Sequence, residues 1–433
     1  MTSEQLFFSH CGDPFGSGTS SKLVPQNIQS ELANLKQITF EVTENCNLRC
    51  QYCGLGSYYS SEAKEELAYL DVSKATAIID YLLNVFRSKA NYSENRTVTL
   101  SFYGGEPLLN TPLIEKVINY AENSKARGIS FRYSMTTNAM LLDKHMDMLV
   151  AKNFNLLISL DGNRIHHSYR TTKMGENSFT KVIQSINLLR RKYPDFFKKN
   201  VNFNSVIHNR NSVQEVFEYF KINFNKTPYL SELNTTGITK EMRQEFLQTY
   251  RNVNESLHQS ENYEEIKDVL FLNEPTLKSL AFFIIHNSSN VFSRYGDLLS
   301  KNKTAQSIPT GTCYPFSRKI FITARGKILP CERISHKYAL GEVTENGVNL
   351  DLVEIAEKYN SYFNKFTRMC DSCYNRGSCV QCIFQLDDLE EKHPLCYGYM
   401  DKTRFNQHVS GFMRMLEKNP EYYFRIIEDA TFY

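Results

Sequence analysis

The chain has no long apolar run. The longest, Leu280-Ala-Phe-Phe-Ile-Ile285, is far too short to span a bilayer. It has no basic start followed by an apolar stretch, since it opens Met-Thr-Ser-Glu-Gln-Leu-Phe-Phe-Ser-His10, so no secretory signal is expected. Like charges form no block. Lys and Arg are spread along a chain of net charge +3, which argues against a nucleic-acid or membrane surface. Cysteine is absent from the whole stretch between Cys53 and Cys313. These absences lead us to expect a soluble, cytoplasmic protein with no membrane or nucleic-acid partner.

What is present points to metal. Hydrophobic residues make up 41% and aromatics 13% of 433 residues, enough for real cores in two or three domains. The eleven cysteines read as metal ligands before disulfides because of where they stand. Cys11 is an incidental thiol. Cys46, Cys50 and Cys53 lie together, and seven more fall between Cys313 and Cys396.

The first group follows a run, 37–43, that reads as a strand. Three thiolates on one short loop can hold three irons of a four-iron, four-sulfur cube. Full ligation by four cysteines is normal in electron carriers, so a missing fourth invites an exogenous ligand. The alternative is plain packing: positions 46, 50 and 53 would share one helix face, and free cysteines are often simply buried. The interleaved Asn45, Asn47, Arg49 and Gln51, with Gly54 following, favour a loop.

Downstream, apolar periods of two and of 3.6 residues alternate. Strands are expected at 98–103, 129–135, 154–160 and 201–207. Helices are expected at 67–87, 114–123, 141–152, 179–191 and 213–220. Strand-then-helix units imply parallel strands with helices outside, an α/β fold. The polar motifs fall at the C-terminal ends of these strands, where barrels of this type place their active sites. Residues 210–309 carry less information, with helical patterns at 240–257 and 263–286.

C-x3-C-x2-C after a strand, with Tyr52 before the last cysteine, resembles the signature of the radical S-adenosylmethionine (radical SAM) enzymes. The resemblance implies a partial (β/α)6 TIM-like barrel. It also implies that S-adenosylmethionine chelates the open iron, and that one electron cleaves its sulfonium to release a 5′-deoxyadenosyl radical. The chemistry is the cofactor's, and the protein supplies position and exclusion of water. By the same resemblance Tyr52 and the Gly104-Gly105-Glu106 motif contact the cofactor, the latter at the methionine amino group. Asn138, in Thr-Thr-Asn-Ala where the family usually ends in Gly, and Ser159 lie at the ribose. Arg170 suits the methionine carboxylate, with a surface ion pair as the alternative. His166 and His167 read as packing or surface residues.

The later cysteines resemble the SPASM extension of the same enzymes, which holds two auxiliary [4Fe-4S] clusters. Cys379 and Cys382 are separated by two residues where three are usual. C-x2-C…C-x2-C is also a zinc-ribbon spacing. By analogy Cys370, Cys373, Cys379 and Cys396 hold an outer cluster and Cys313, Cys331 and Cys382 an inner one. The inner set lacks a fourth cysteine, which leaves an open iron. Between Cys313 and Cys331 a hairpin is expected, 319–323 with 327–329.

Glu332 follows Cys331 directly. Sulfatase-maturing members of the family have an aspartate there, proposed as the base. Glu332 is therefore a candidate general base, or else a carboxylate without a chemical role. Those members also carry a further cysteine between the counterparts of Cys313 and Cys331, and this chain has none.

The expectation is thus a maturase of a ribosomally made peptide, installing a crosslink or an oxidation. Its cofactors would be three [4Fe-4S] clusters and S-adenosylmethionine, and its partners a precursor peptide and a reductant such as flavodoxin or ferredoxin. The alternatives are a sulfatase maturase that forms formylglycine and a non-enzymatic zinc or iron–sulfur scaffold. The expected domains are a tail or loosely packed cap (1–36, too short for a separate winged-helix recognition domain), the barrel (37–235), a helical bridge (236–309) and the SPASM domain (310–433).

Overall fold

A computed structural model describes residues 22–54, 56–59, 66–91, 96–124, 128–287, 310–386 and 388–429. Cys11 and the end of the expected helical bridge lie outside the described residues. The chain divides into two compact units: Gln29–Leu270 with Pro315–Asp351, and the described residues of 1–28, 271–314 and 352–433.

The first unit is built on a ten-stranded sheet ordered β10-β9-β8-β7-β1-β2-β3-β4-β5-β6. Strands β1 (Gln37–Thr43), β2 (Arg96–Gly104), β3 (Ile129–Thr137), β4 (Asn155–Ser159), β5 (Val201–Val206) and β6 (Tyr229–Ser231) are the strands of the α/β repeat. Each pairs in parallel with the next. The helices between them are α2 (Val72–Phe86), α3 (Thr111–Asn123), α4 (Leu142–Ala151), α5 (Phe179–Lys192), α6 (Pro194–Asn200) and α7 (Val213–Phe224), after an initial α1 (Pro25–Ala33). This is the expected partial barrel.

Alternation fixes its two faces. Phe40, Leu100, Phe102, Ile158 and Phe203 share one face and are fully buried. Each such side chain contributes about 1.5–3 kcal/mol by leaving water. The opposite face is polar. Register aligns Thr39 with Ser101, Glu41 with Tyr103, and Ser159 with Asn204. A sheet with an apolar outside and a polar inside buries its core under the helices and leaves its interior for a ligand.

Several elements differ from expectation. Helix α2 begins at Val72 rather than at 67, because Asp71 caps it by accepting from the Ser73 amide at 2.7 Å. The pattern at 240–257 is two helices, α8 (Arg243–Thr249) and α9 (Val253–His258), the second capped by Asn252. The pattern at 263–286 breaks likewise into α10 (Tyr263–Leu270) and α11 (Pro275–Asn287). Pro275 cannot continue a helix but can start one. Helix α1 buries Ile28, Leu32 and Ala33 within the region expected to be loose.

The hairpin expected near 319–329 exists as β7 (Ile320–Ile322) and β8 (Lys327–Leu329), and β7 pairs in parallel with β1. Strands β9 (Gly341–Thr344) and β10 (Gly347–Asn349) complete that side of the sheet. Glu41 accepts from the Ala324 amide at 2.9 Å, and Glu44 holds the Arg325 guanidinium at 3.0 and 3.1 Å. These contacts tie the hairpin turn to the end of β1.

In the second unit α12 (Leu352–Asp371) delivers Cys370 at its C-terminal end. Helices α13 (Lys402–Lys418) and α14 (Glu421–Asp429) bury Val409, Phe412, Tyr422 and Ile426 against Leu280, Phe283 and Ile284 of α11.

Candidate active site

Residues 44–54 form no helix, so the three cysteines do not share a helix face. The segment after β1 is clamped from outside. Leu48 bridges Thr172 in antiparallel fashion, the Arg49 amide donates to the Thr171 carbonyl at 2.7 Å, and the Gln51 amide donates to the Tyr169 carbonyl at 3.3 Å. A turn from Cys50 to Cys53 follows, closed by the Cys53 amide on the Cys50 carbonyl at 3.2 Å. Cys46 and Cys50 are half-buried and Cys53 is exposed.

The glycines of Gly104-Gly105-Glu106 are demanded by this loop. The Gly105 amide donates to the Thr43 carbonyl and the Glu106 amide to the Asn45 carbonyl, at 2.8 and 2.9 Å. A Cβ on Gly105 would stand 2.1 Å from the Asn45 oxygen, and one on Gly104 (φ 132°) 2.4 Å from the Thr43 oxygen. Gly105→Ala should therefore push the cysteine loop off the barrel rim. The expected result is loss of cluster iron in anaerobically reconstituted protein, with the far-UV spectrum kept; full iron content would contradict it.

Glu106 is turned into the protein. It is buried, and its carboxylate accepts from the Leu108 amide (3.2 Å), the Thr137 hydroxyl (2.7 Å) and the Asn138 amide (2.8 Å). Burial pushes its carboxyl up to about 7 against those hydrogen bonds. Asn138 in turn points at the cysteine loop. Its side-chain amide donates to Asn47 at 2.7 Å and lies 3.6 Å from the Cys46 sulfur, which the Leu48 amide also reaches at 3.4 Å. Ala139, in the position the family usually gives to Gly, has a left-handed φ of 60°.

Arg170 forms a bidentate ion pair with Asp161, Nε to Oδ2 at 2.9 Å and Nη2 to Oδ1 at 3.0 Å. Asp161 is completely buried and also accepts from the Val206 amide and the Tyr52 hydroxyl. The Tyr52 ring stacks on His208 at 5.8 Å and has the Arg170 guanidinium 5.4 Å above it. Despite burial, Arg170 holds the Asp161 carboxyl down at about 2. Burial lowers His167 to about 3 and His208 to about 4, so both are neutral near pH 7. Burial pushes the Cys50 thiol up to about 12, with the Arg170 charge the chief opposing influence. His166 and His167 are buried beneath this network.

Ser159 is half-buried on the interior face beside Asn204. Glu332 pairs through Oε1 with Lys319 Nζ at 3.1 Å, and its Oε2 is buried without a hydrogen-bond partner. Tyr103, the last interior residue of β2 before the glycines, has Glu332 and Cys53 among its charged neighbours.

In the second unit Cys370, Cys373, Cys379 and Cys396 line one cavity. Among the described residues no three His, Cys, Asp or Glu side chains converge as a single ion requires. Four thiols lining one cavity suit a polynuclear group. Cys313 and Cys382 belong to this unit and Cys331 to the barrel unit.

Sequence reasoning missed Asp161, Gly56, Tyr103 and Lys319. Asp161 was signalled by its place, a carboxylate closing an apolar strand in Ile-Ser-Leu-Asp-Gly. Gly56 was signalled by nothing local: a Cβ there would meet the carbonyls of Cys50, Gln51 and Cys53 at 2.8–2.9 Å.

Residues 40–221 match the family model described as the radical SAM superfamily. These residues form a radical SAM domain. A domain of this kind implies a [4Fe-4S] cluster and S-adenosylmethionine as cofactors. The radical SAM cyclopropyl synthase TigE of Paramaledivibacter caminithermalis is 27% identical over 224 residues, 50% of this chain and 43% of that enzyme. The cysteine-type anaerobic sulfatase-maturating enzyme of Clostridium novyi is 24% identical over 409 residues, 90% of this chain and 96% of that enzyme. The fold is shared with native anSMEcpe with bound AdoMet (TM-score 0.56, 19% identity, 91% of this chain and 98% of that one). It is also shared with Streptococcus suis SuiB bound to the precursor peptide SuiA (TM-score 0.52, 15% identity, 88% of this chain and 79% of that one). Among the described residues no helix is long and apolar enough to cross a membrane.

Proposed function

We propose that this radical SAM enzyme modifies a ribosomally synthesised peptide, by crosslinking or oxidation. The carrying observation is the paired carboxylate near the cysteine loop: Lys319 engages one oxygen of Glu332, the other is buried without a partner, and Tyr103 neighbours both Glu332 and Cys53. A buried oxygen without a donor is costly unless something brings it a proton or a hydrogen bond. A peptide substrate can do either. When bound, the cluster and S-adenosylmethionine supply an electron and a deoxyadenosyl radical that removes a hydrogen atom from the peptide.

The chain's own residues then have distinct tasks. Cys46, Cys50 and Cys53 hold the cluster. The backbone of Gly104–Glu106 closes the loop around it. Asn138 and Ser159 would line the nucleoside side, Tyr52 backs the loop, and Arg170, held by Asp161, would serve the methionine carboxylate. Glu106, with both oxygens occupied from within, orders Asn138, and its amide holds the Asn45 carbonyl of the cysteine loop. Glu332 would accept the proton that the substrate releases on oxidation, and an auxiliary cluster, once bound, would supply the acceptor for the electron.

Cys370, Cys373, Cys379 and Cys396 hold the outer auxiliary cluster. The inner one, on Cys313, Cys331 and Cys382, rests on the resemblance to the SPASM extension. Three cubes predict about twelve irons per chain. The test is anaerobic reconstitution with iron and sulfide analysis, followed by a short open reading frame beside the gene supplied as peptide. Deoxyadenosine formation and a mass change in the peptide are expected; about four irons and no response to any such peptide would defeat the proposal.

A second reading, formylglycine formation, is favoured by an alignment that runs nearly the full length of the Clostridium novyi enzyme. A cysteine-containing sulfatase-motif peptide separates the two. Conversion of its thiol to an aldehyde would establish the second reading.

A further inference from the structure

Arg376 lies on the turn between Cys373 and Cys379. Its amide donates to the Cys373 carbonyl at 3.3 Å, and its carbonyl accepts from the Cys379 amide at 3.4 Å. The side chain lines the four-cysteine cavity. Its Nη1 donates to Asp371 Oδ1 at 2.9 Å, which fixes the guanidinium plane. Its Nη2 is buried and has no hydrogen-bond partner. A guanidinium is always charged and presents its donors in a rigid fork. A buried donor of that kind, left idle beside four thiols, calls for an acceptor in the cavity.

The cavity is already lined with donors. Cys370 receives the Thr310 amide, Cys373 the Met400 amide at 3.5 Å, Cys379 the amides of Gly311 and Gln381, and Cys396 those of Gly398 and Tyr399. A Cβ on Gly311 would fall 2.1 Å from the Cys379 carbonyl oxygen, so the segment that brings these amides is pressed against the ligand loop. Each sulfur thus has at least one backbone amide beside it. Arg376 adds the one full positive charge among the residues that line the cavity.

We propose that Arg376 donates an N–H···S hydrogen bond to the outer auxiliary cluster and holds its reduction potential up. Hydrogen bonds to sulfur and local charge are the protein's means of setting such potentials. Reduction adds one negative charge to an anionic centre in a poorly solvated cavity. A guanidinium there stabilises the reduced form more than the oxidised one. The outer cluster becomes the better electron acceptor, the role proposed for an auxiliary cluster. The inference rests on the proposal that these four cysteines hold a cluster, and the experiment separates the two.

The experiment is an EPR-monitored redox titration of the full-length, reconstituted enzyme. The outer-cluster signal is the one missing from a Cys370→Ala/Cys373→Ala double variant. Arg376→Met and Arg376→Gln should make that cluster at least ten times harder to reduce at equilibrium, a downward shift of 59 mV for a one-electron couple. Arg376→Lys keeps the charge but loses the fork, and should fall between. The potential of the Cys46–Cys53 cluster should not move. If a variant retains the outer cluster at an unchanged potential, the role of Arg376 is wrong while the cluster stands. If all three variants lose the outer irons, Arg376 is a structural requirement and the tuning role is wrong. If the unmodified protein shows no signal that depends on Cys370 and Cys373, the cluster assignment itself fails.

Discussion

Alanine at Cys46, Cys50 and Cys53 together is expected to bring 5′-deoxyadenosine formation from S-adenosylmethionine down to background. The three thiolates stand on one clamped loop, and each would hold one iron of the same cube. Losing one leaves two ligands for a cluster already one short of the usual four, so single substitutions should be nearly as severe. The triple variant should lose about four irons per chain and keep its far-UV spectrum. The loop is anchored by the Leu48–Thr172 bridge and by backbone bonds to residues 169–171, none of which involves a cysteine side chain. Retained deoxyadenosine production in the triple variant would refute the site.

The second large effect concerns a residue that touches no iron. Asp161→Ala should destabilise the barrel unit by about 3–5 kcal/mol, the usual cost of breaking a buried pair from one side. Asp161 is fully buried and Arg170 nearly so. Removing the carboxylate leaves a guanidinium, the Tyr52 hydroxyl and the Val206 amide without their acceptor. Against total stabilities of about 5–15 kcal/mol that is a large fraction. The damage should reach the cluster, because Tyr52 lies between Cys50 and Cys53. Loss of cluster iron should accompany the drop in denaturation midpoint.

The same pair predicts a pH dependence. The Asp161 carboxyl is held at about 2 in the folded chain, below its ordinary value of 3.8. A depressed carboxyl contributes stability above its unfolded value and loses it as pH falls. The loss therefore runs from about pH 4 toward pH 2 and amounts to roughly 2 kcal/mol. Urea titrations of cluster-free protein should show wild type and Asp161→Asn converging across that window. Parallel curves would show that Asp161 is not ionised against Arg170.

The strands and the cysteine loop could be read before any coordinates. Alternation in 98–103 and 129–135 put apolar residues on one face, and β2 and β3 contain both segments. Helix ends were harder where caps decided them, as at Asp71 and Asn252. The four C-terminal cysteines could be grouped by resemblance to the SPASM extension. The donors around them could not, because Thr310 and Met400 come from segments ninety residues apart. Glu106 and Arg170 were expected to face the cofactor, and the structure gives both carboxylate oxygens of the first and two nitrogens of the second to protein partners.

The residue order by itself determined the chemistry's raw material: three thiols on a loop after a strand, parallel strands with polar motifs at one end, and a second cysteine set. Such features depend on local period and spacing, which neighbouring residues carry. Tertiary structure alone decided which charges meet. It paired Arg170 with Asp161, set Lys319 on Glu332 and left one nitrogen of Arg376 idle among four sulfurs. The reason is physical. Pairing energies between groups in a poorly solvated interior depend on ångström-scale distance and burial, and neither is written in the order of residues.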